Sequence, residues 1–243
     1  MLSKNVIKDI QSLNHKKNRV KSGLFIAEGP KIVNELLTLD SKKAVKIYAT
    51  ADWQSNVSTE LSSLLQIIEP HELQKISSLQ TPNQVLVVMQ QFASEEPVAQ
   101  QSMILYLDGI QDPGNFGTII RIADWFGVSN VVCSNGCADL YNPKVVQSTM
   151  ASIARTNVWY DEKENWLSRQ EVPIMVAALS GQSIYDMDRQ SKGILLIGNE
   201  SKGVRHEFMN MATHQLTIPR IGAAESLNAA VATGIILSHL AIN

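Results

Sequence analysis

The stretch Met103–Phe126, MILYLDGIQDPGNFGTIIRIADWF, decides the fold class of this 243-residue chain. It begins with an uncharged apolar run, 103–107, which is typical of a buried strand. A loop with three glycines and a proline follows, and from Thr118 to Phe126 apolar residues recur at helical spacing. This order of strand, loop and helix predicts an α/β fold.

The same alternation continues on both sides of this unit. Short runs of Ile, Leu and Val favour buried, parallel strands. Beyond residue 126 we predict strands over 130–133, 157–160, 174–179, 193–197 and 215–218, and helices over 143–153, 162–170, 205–211 and 226–240. Before residue 103 we predict a helix capped by Ser3, a helix beginning at Pro30 and one over 71–76, with strands over 24–27, 45–49 and 85–89. Segment 61–65 is ambiguous.

Segment 91–102 divides the chain because it is poor in long apolar residues and contains Ser94-Glu95-Glu96-Pro97. We therefore predict a smaller first domain over 1–93, a linker over 94–102 and a second domain over 103–243.

Composition excludes several classes of protein. With 44% apolar and 18% charged residues, the chain can bury a core and is not expected to be disordered. It has no apolar run of 18 residues, and charges stand where a signal peptide needs apolar residues, so an intracellular location is expected. Cys133 and Cys137 are expected to be free thiols, and the five scattered histidines predict no metal site.

Charge is distributed unevenly along the chain. Residues 1–31 carry seven Lys and Arg against two acidic residues, whereas the remainder carries 14 Lys and Arg against 21. The cluster Lys16, Lys17, Arg19 and Lys21 reads as a flexible basic loop that could follow an RNA backbone. An ordinary solvated surface explains these charges equally well.

Three loops that follow predicted strands carry the candidate chemistry, since such loops converge on the ligand site of an open α/β sheet. The first, 107–117, lacks the Lys-Ser/Thr of a phosphate loop, because Asn115-Phe116 stands in that place. The second, 197–203, holds Glu200 among glycines, which disfavours phosphate and suits a neutral or cationic ligand, an arginine or a ribose hydroxyl. Tight turns at the surface remain the alternative for both.

The third loop precedes the last predicted helix. Ser226 is a candidate cap for that helix. Asn228 contributes little to packing in the first turn of an apolar helix, so we expect it to contact another residue or a ligand.

These loops resemble the three ordered motifs of the SpoU/TrmH family of RNA ribose 2′-O-methyltransferases. The resemblance rests on Asp108–Arg121 with Asn115, on GNESKG at 198–203 and on Ile218-Pro219 through Ser226-Leu227-Asn228, and it covers about the last 140 residues. The segments FIAEGPK at 25–31 and Thr81-Pro82 are similar to the small RNA-binding domain, like a ribosomal protein, that precedes the catalytic domain in many members. Ala151 departs from the family, where glycine is common.

The resemblance implies a catalytic domain with a deep trefoil knot, an exception to the usual absence of knots. It implies a homodimer that uses S-adenosylmethionine and RNA. The cytoplasmic location and the absence of a metal are expected from the amino-terminal charges and the scattered histidines. The implied cofactor contacts are Ile197, Gly198, Ile218, Ser226 and Leu227, and the implied catalytic residues are Arg121, Asn115, Glu200, Ser226 and Asn228.

Methyl transfer to a ribose hydroxyl must make a poor nucleophile more reactive. The family assigns this role to Arg121, but a guanidinium is a poor general base. It either lowers the pKa of the hydroxyl as a positive neighbour, which we favour, or accepts the proton transiently. The expected substrate is large-subunit ribosomal RNA. Transfer RNA, a non-catalytic RNA-binding protein and a nucleotide-dependent enzyme with a small substrate are the alternatives.

Overall fold

A computed structural model describes residues 1–56 and 61–241 of the chain, which divides into two compact units. The first comprises Met1–Ala93 and Asp139–Ala154, and the second comprises Ser94–Ala138 and Arg155–Asn243. Segment 139–154 was expected in the second domain but clusters with the first unit. The expected linker packs within the second unit, where Ala99 is buried and the Trp166 indole donates to the carbonyl of Pro97.

The first unit is an α/β layer around a mixed sheet of order β1-β4-β2-β3, in which only β2 and β3 are parallel. Ser3 caps the first helix as predicted, since its Oγ accepts the amide of Val6. The elements in chain order are α1 (Lys4–Ser12), α2 (Lys16–Ser22), β1 (Leu24–Glu28), α3 (Pro30–Asp40), β2 (Ala44–Ala49), β3 (Leu65–Ile67), α4 (Pro70–Ile76) and β4 (Val85–Gln90).

The predicted flexible basic loop is wrong, because residues 16–22 form helix α2. Arg19 on this helix is 2% exposed and forms an ion pair with Asp139, and its Nη1 donates to the carbonyl of Leu13 at 2.7 Å. The helix ends at Gly23, whose φ of 67° is a left-handed conformation that glycine adopts without strain.

The second unit is a six-stranded, wholly parallel sheet of order β10-β8-β9-β5-β6-β7, with helices α5 and α8 packed on one another. The α/β fold with a parallel sheet is therefore confirmed. Its elements are β5 (Met103–Asp108), α5 (Pro113–Trp125), β6 (Asn130–Cys133), β7 (Asn157–Tyr160), β8 (Ile174–Ser183), β9 (Gly193–Gly198), α7 (His206–Met209), β10 (His214–Thr217) and α8 (Ala229–Leu240). Helix α6 (Pro143–Thr149), between β6 and β7, belongs to the first unit.

Helix α5 begins five residues earlier than predicted. Asp112 caps it by accepting the amide of Asn115 at 2.8 Å, and Pro113 occupies its first turn, where a missing amide hydrogen costs nothing. Asn115 and Gly117, expected in a loop, thus stand on a rigid helix.

Three other element predictions require correction. The helix predicted over 162–170 is reduced to a short 3-10 turn, Leu167–Arg169, because Glu164 adopts a φ of 50°. Helix α6 ends at Thr149, before the predicted end at residue 153, because Met150 and Ala151 both have positive φ, a conformation that glycine adopts without strain. Ser226 does not cap the last helix; Asn228 does.

Candidate functional site

Asn115, Glu200 and Asn228 form one hydrogen-bonded chain at the carboxyl edge of the second unit's sheet. The Asn228 Nδ2 donates to Asn115 Oδ1 at 2.9 Å, and the Asn115 Nδ2 donates to Glu200 Oε1 at 2.7 Å. Each residue comes from a different one of the three predicted loops. We call this chain of hydrogen bonds the amide relay.

The direction of the amide relay is fixed by helix α8. The Asn228 Oδ1 accepts the amides of Ala230 and Val231 at 3.0 and 3.3 Å, so only its Nδ2 can face Asn115. The Asn115 oxygen must then face Asn228, and its nitrogen must face the carboxylate. One residue therefore caps a helix and orients a second side chain.

The loop over 199–204, here called the Glu200 loop, is closed by its own backbone. The amide of Asn199 donates to the carbonyl of Gly203 at 3.0 Å, and the reverse bond measures 2.8 Å. A Cβ on Gly198 would lie 2.3 Å from the carbonyl carbon of Gly203, so no larger residue fits there. The Asn199 Nδ2 also donates to the carbonyl of Gly109 at 2.7 Å, which joins this loop to the first one.

Arg205, which the sequence predicts only as part of a helix, forms ion pairs with three carboxylates, Asp108, Glu164 and Glu207. Its Nε donates to Asp108 Oδ1 at 2.8 Å, and its Nη1 and Nη2 donate to the two oxygens of Glu164 at 2.8 and 3.0 Å. These bonds lower the pKa of Glu164 and raise that of Arg205. The sequence signal that could have indicated this role of Arg205 is Asp108, an acidic residue at the end of the buried strand β5. Its partner, however, lies 97 residues away in sequence.

Arg121 is exposed on α5 and takes no part in the amide relay. Within residues 1–56 and 61–241, no hydrogen bond or ion pair occupies its guanidinium. Its five N–H groups thus remain available for a ligand from outside the chain.

The residues predicted to contact a cofactor surround an exposed segment. Ile197 is buried, Gly198 and Ile218 are half-buried, and Ser226 and Leu227 are exposed. From Pro219 to Leu227 every residue is exposed, and in the described chain no backbone–backbone hydrogen bond involves this segment. Within the segment, the Arg220 Nη1 donates a hydrogen bond to the carbonyl of Ala224 at 3.1 Å.

The four basic residues predicted to bind RNA separate into two groups. Lys16, Lys17 and Lys21 are exposed on α2, and we call them the α2 lysines. Arg19 is buried in its ion pair with Asp139, so its prediction as an RNA contact is wrong. The guanidinium fork suits a paired, buried site, whereas the lysine ammonium groups stay hydrated.

Other predicted features are reported briefly. Both cysteines are free, and the Cys137 Sγ donates to the carbonyl of Leu107 at 3.1 Å. Across the described ranges, no three His, Cys, Asp or Glu side chains are grouped to hold a metal ion. None of the helices in those ranges has the length and apolarity to cross a membrane.

Comparison with known proteins extends these observations. The model of the SpoU rRNA Methylase family matches residues 102–238, and that of the MRM3-like substrate binding domain matches residues 4–87. The 23S rRNA (guanosine(2553)-2′-O)-methyltransferase RlmP of Bacillus subtilis is 33% identical, over 96% of this chain and 95% of its own length.

Two solved structures share the fold over nearly the whole chain. A TrmH-family protein from Porphyromonas gingivalis has a TM-score of 0.88 and 38% identity, with 98% of each chain covered. The rRNA methyltransferase of Sinorhizobium meliloti, solved with AdoMet bound, has a TM-score of 0.84 and 29% identity, covering 98% of this chain and 95% of its own. The model of the SpoU rRNA Methylase family spans more than half of the residues of this chain and includes all three motifs. This chain therefore belongs to the SpoU rRNA methylase family.

Proposed function

We propose that this chain transfers a methyl group from S-adenosylmethionine to a ribose 2′-hydroxyl of large-subunit ribosomal RNA. The observation that carries the proposal is the amide relay, which joins all three family motifs in one cluster. The B. subtilis and S. meliloti relatives are both named as rRNA methyltransferases. Transfer RNA, the alternative, has less support from these names.

The residues present fit S-adenosylmethionine. Segment 219–227 exposes amides and carbonyls without backbone partners, which suit the hydrogen-bonding edge of an adenine. Leu227 offers an apolar surface, 48% exposed, and Gly198 keeps the neighbouring backbone free of side chain. When bound, the cofactor supplies an electrophilic methyl group on a sulfonium. Ile197, Gly198, Ile218, Ser226 and Leu227 are the residues proposed to hold it.

The chain's own residues prepare the hydroxyl. Arg121 holds an RNA phosphate and lowers the pKa of the neighbouring 2′-hydroxyl as a positive charge. Asn115 keeps one Nδ2 hydrogen and one Oδ1 lone pair outside the amide relay, and these bind the ribose. Glu200 and Asn228 fix the orientation of Asn115, while Ser226 lies beside the cofactor.

RNA binding extends to the first unit. The α2 lysines present three positive charges to solvent. A match of residues 4–87 to a substrate-binding domain supports a role in holding the RNA, as does the resemblance to a ribosomal-protein-like domain.

The proposal includes assembly and location. A homodimer is supported by the groove of about 440 Å³ between α5 and α8, lined by Ile122, Val231 and Ile235, and by Trp125, which is 81% exposed. A deep trefoil knot at the carboxyl end of the chain is supported by its membership of the SpoU rRNA methylase family. A cytoplasmic location is supported by the likeness to the B. subtilis relative, because bacterial ribosomal RNA lies in the cytoplasm. Light scattering at micromolar concentration measures the mass of the particle in solution. We expect the mass of a dimer, and the mass of a monomer would contradict this part of the proposal.

The decisive experiment supplies tritium-labelled S-adenosylmethionine with 23S rRNA or with total tRNA. We expect label in 23S rRNA at a ribose, in the presence of EDTA as well. Mapping of ribose methylation in cells with and without the gene then identifies the nucleotide. Label in tRNA alone would show that the substrate is tRNA rather than rRNA. If the cofactor binds but no methyl group reaches any RNA, the chain is better described as a non-catalytic RNA-binding protein.

A further inference from the structure

We propose that Arg205 is a positioning residue for methyl transfer, which fixes the Glu200 loop on the end of β5 and so sets the Asn115–Glu200 hydrogen bond. The inference rests on the proposed function above. Arg205 touches neither Asn115 nor Glu200 and acts through the backbone between them.

Both ends of the Glu200 loop form hydrogen bonds to two consecutive residues, Asp108 and Gly109. At its start, Asn199 donates to the carbonyl of Gly109. Just past its end, the amide of Arg205 donates to Asp108 Oδ2 at 2.8 Å while the Nε of the same residue donates to Asp108 Oδ1. Asp108 and Gly109 lead directly into α5, which carries Asn115. The Glu200 loop and α5, which carry the two partners of the Asn115–Glu200 hydrogen bond, are therefore both connected to Asp108 and Gly109.

The remaining groups of the guanidinium are also used. Its two terminal nitrogens bind both oxygens of Glu164, and its Nη1 also lies 3.1 Å from the Oε1 of the more exposed Glu207. The guanidinium carbon lies 4.4 Å from the centre of the Phe208 ring. Glu164 in turn accepts the amide of Asn135 at 3.1 Å. The pair Arg205 and Glu164 thus connects the last residue of β5 with the segments that follow β6, β7 and β9. Glu164 has a φ of 50°, a conformation that non-glycine residues seldom hold unless their surroundings impose it.

The geometry requires an arginine. Asp108 is 3% exposed at its side chain, so its carboxylate depends on this partner rather than on water. A lysine has one ammonium group and cannot span Asp108 and Glu164 while lying flat on Phe208. An exposed ion pair of the same residue types, Arg169 with Glu96 at 2.8 Å, lacks these features because both side chains are about half exposed.

The test compares Arg205→Ala and Arg205→Lys with the matched control Arg169→Ala. Single-turnover methyl transfer is measured in the wild-type background and in a Glu200→Ala background, which removes the acceptor of the Asn115 amide. We expect Arg205→Ala to lower the rate about 10- to 100-fold, the range for a misplacement near 1 Å, with the cofactor Kd within about 3-fold. Arg169→Ala should stay within about 2-fold of wild type.

Non-additivity distinguishes positioning from general stabilisation. If Arg205 acts through Glu200, its replacement costs less than about 3-fold once Glu200 is replaced by alanine, which has no acceptor for the Asn115 amide. An equal fold-loss in both backgrounds, or a wild-type rate for Arg205→Ala, would overturn the inference. If Arg205→Ala does not fold, Arg205→Lys decides by the same criteria.

A second readout needs neither RNA nor cofactor. Arg205→Lys should speed amide hydrogen exchange in 199–205 and 109–112 but leave α8 unchanged. Unchanged exchange in the Glu200 loop would contradict the inference even if the chain methylates nothing. Conversely, an inactive wild type with the expected exchange pattern would refute only the proposed function.

Discussion

Replacing Asn228 with aspartate would separate the two tasks of this side chain. As a cap, its Oδ1 accepts the amides of Ala230 and Val231; in the amide relay, its Nδ2 donates to Asn115. Aspartate caps helices as well as asparagine does, and its charge interacts favourably with a helix N-terminus. The new carboxylate has no hydrogen to donate, so the substitution removes only the relay's first bond.

The expected loss can be worked from the contact. Two oxygens would face each other at the present 2.9 Å, because Asn115 cannot turn its nitrogen toward the new carboxylate without turning its oxygen toward Glu200. A lost neutral hydrogen bond costs about 1 kcal/mol, and an unsatisfied, repelling acceptor adds about 1 kcal/mol at this partly exposed position. A total of about 2 kcal/mol corresponds to about a 30-fold lower rate of the chemical step.

The assay is single-turnover methyl transfer, with urea unfolding measured in parallel. We expect the Asn228→Asp rate to fall about 30-fold, while the free energy of unfolding falls by no more than about 2 kcal/mol because aspartate still caps α8. Asn142→Asp is the matched control, because Asn142 caps α6 through the amide of Lys144 and has no place in the amide relay. A wild-type rate for Asn228→Asp would refute the assignment of Asn115's orientation to Asn228.

Four further predictions concern other residues. Arg121→Ala should abolish methylation while calorimetry finds the cofactor affinity within a few-fold; an active variant would contradict the role given to it. Changing the α2 lysines to glutamine should flatten the salt dependence of RNA affinity, with each lost phosphate contact lowering the slope by about 0.7 to 0.9. Gly198→Ala would bring a Cβ within 2.3 Å of Gly203 and should abolish cofactor binding in a titration, whereas unchanged binding would show that the Glu200 loop can shift. Arg205 holds the pKa of Glu164 below its ordinary value, so the stability from this pair is present above about pH 4.3 and is lost as the pH falls; Glu164→Gln should unfold with a shallower dependence on acid.

The α/β class and the family were predictable because both depend on local patterns. Short apolar runs gave the strands, and the three motifs are each continuous in sequence. The amide relay was only partly predictable: Asn228 was expected to contact something, but its partner Asn115 is 113 residues away. The predicted start of α5 is wrong because glycines are typical of loops, although Asp112-Pro113 is a good helix start.

The predicted helix over 162–170 failed because tertiary contacts override local preference. The segment is rich in residues that tolerate helices, yet Asp161 accepts the amides of Asn165 and Trp166 and the Trp166 side chain is buried. Glu164 turns to a positive φ where it binds Arg205. No spacing within these nine residues reveals a partner that lies 41 residues further on.

Arg19 and Arg205 show why positive charge was the least predictable feature of this chain. The neighbouring residues in sequence place Arg19 in a lysine cluster and Arg205 in a helix. In the structure each binds an acid about 100 residues away in sequence, Arg19 binding Asp139 and Arg205 binding Asp108. A guanidinium can satisfy a buried carboxylate through several parallel hydrogen bonds, which an ammonium cannot do. The α2 lysines accordingly remain exposed beside a buried arginine on the same helix. Arg121 is the contrasting case, an arginine in a family motif that no acid of the described chain engages, and its free guanidinium is what a phosphate ligand requires.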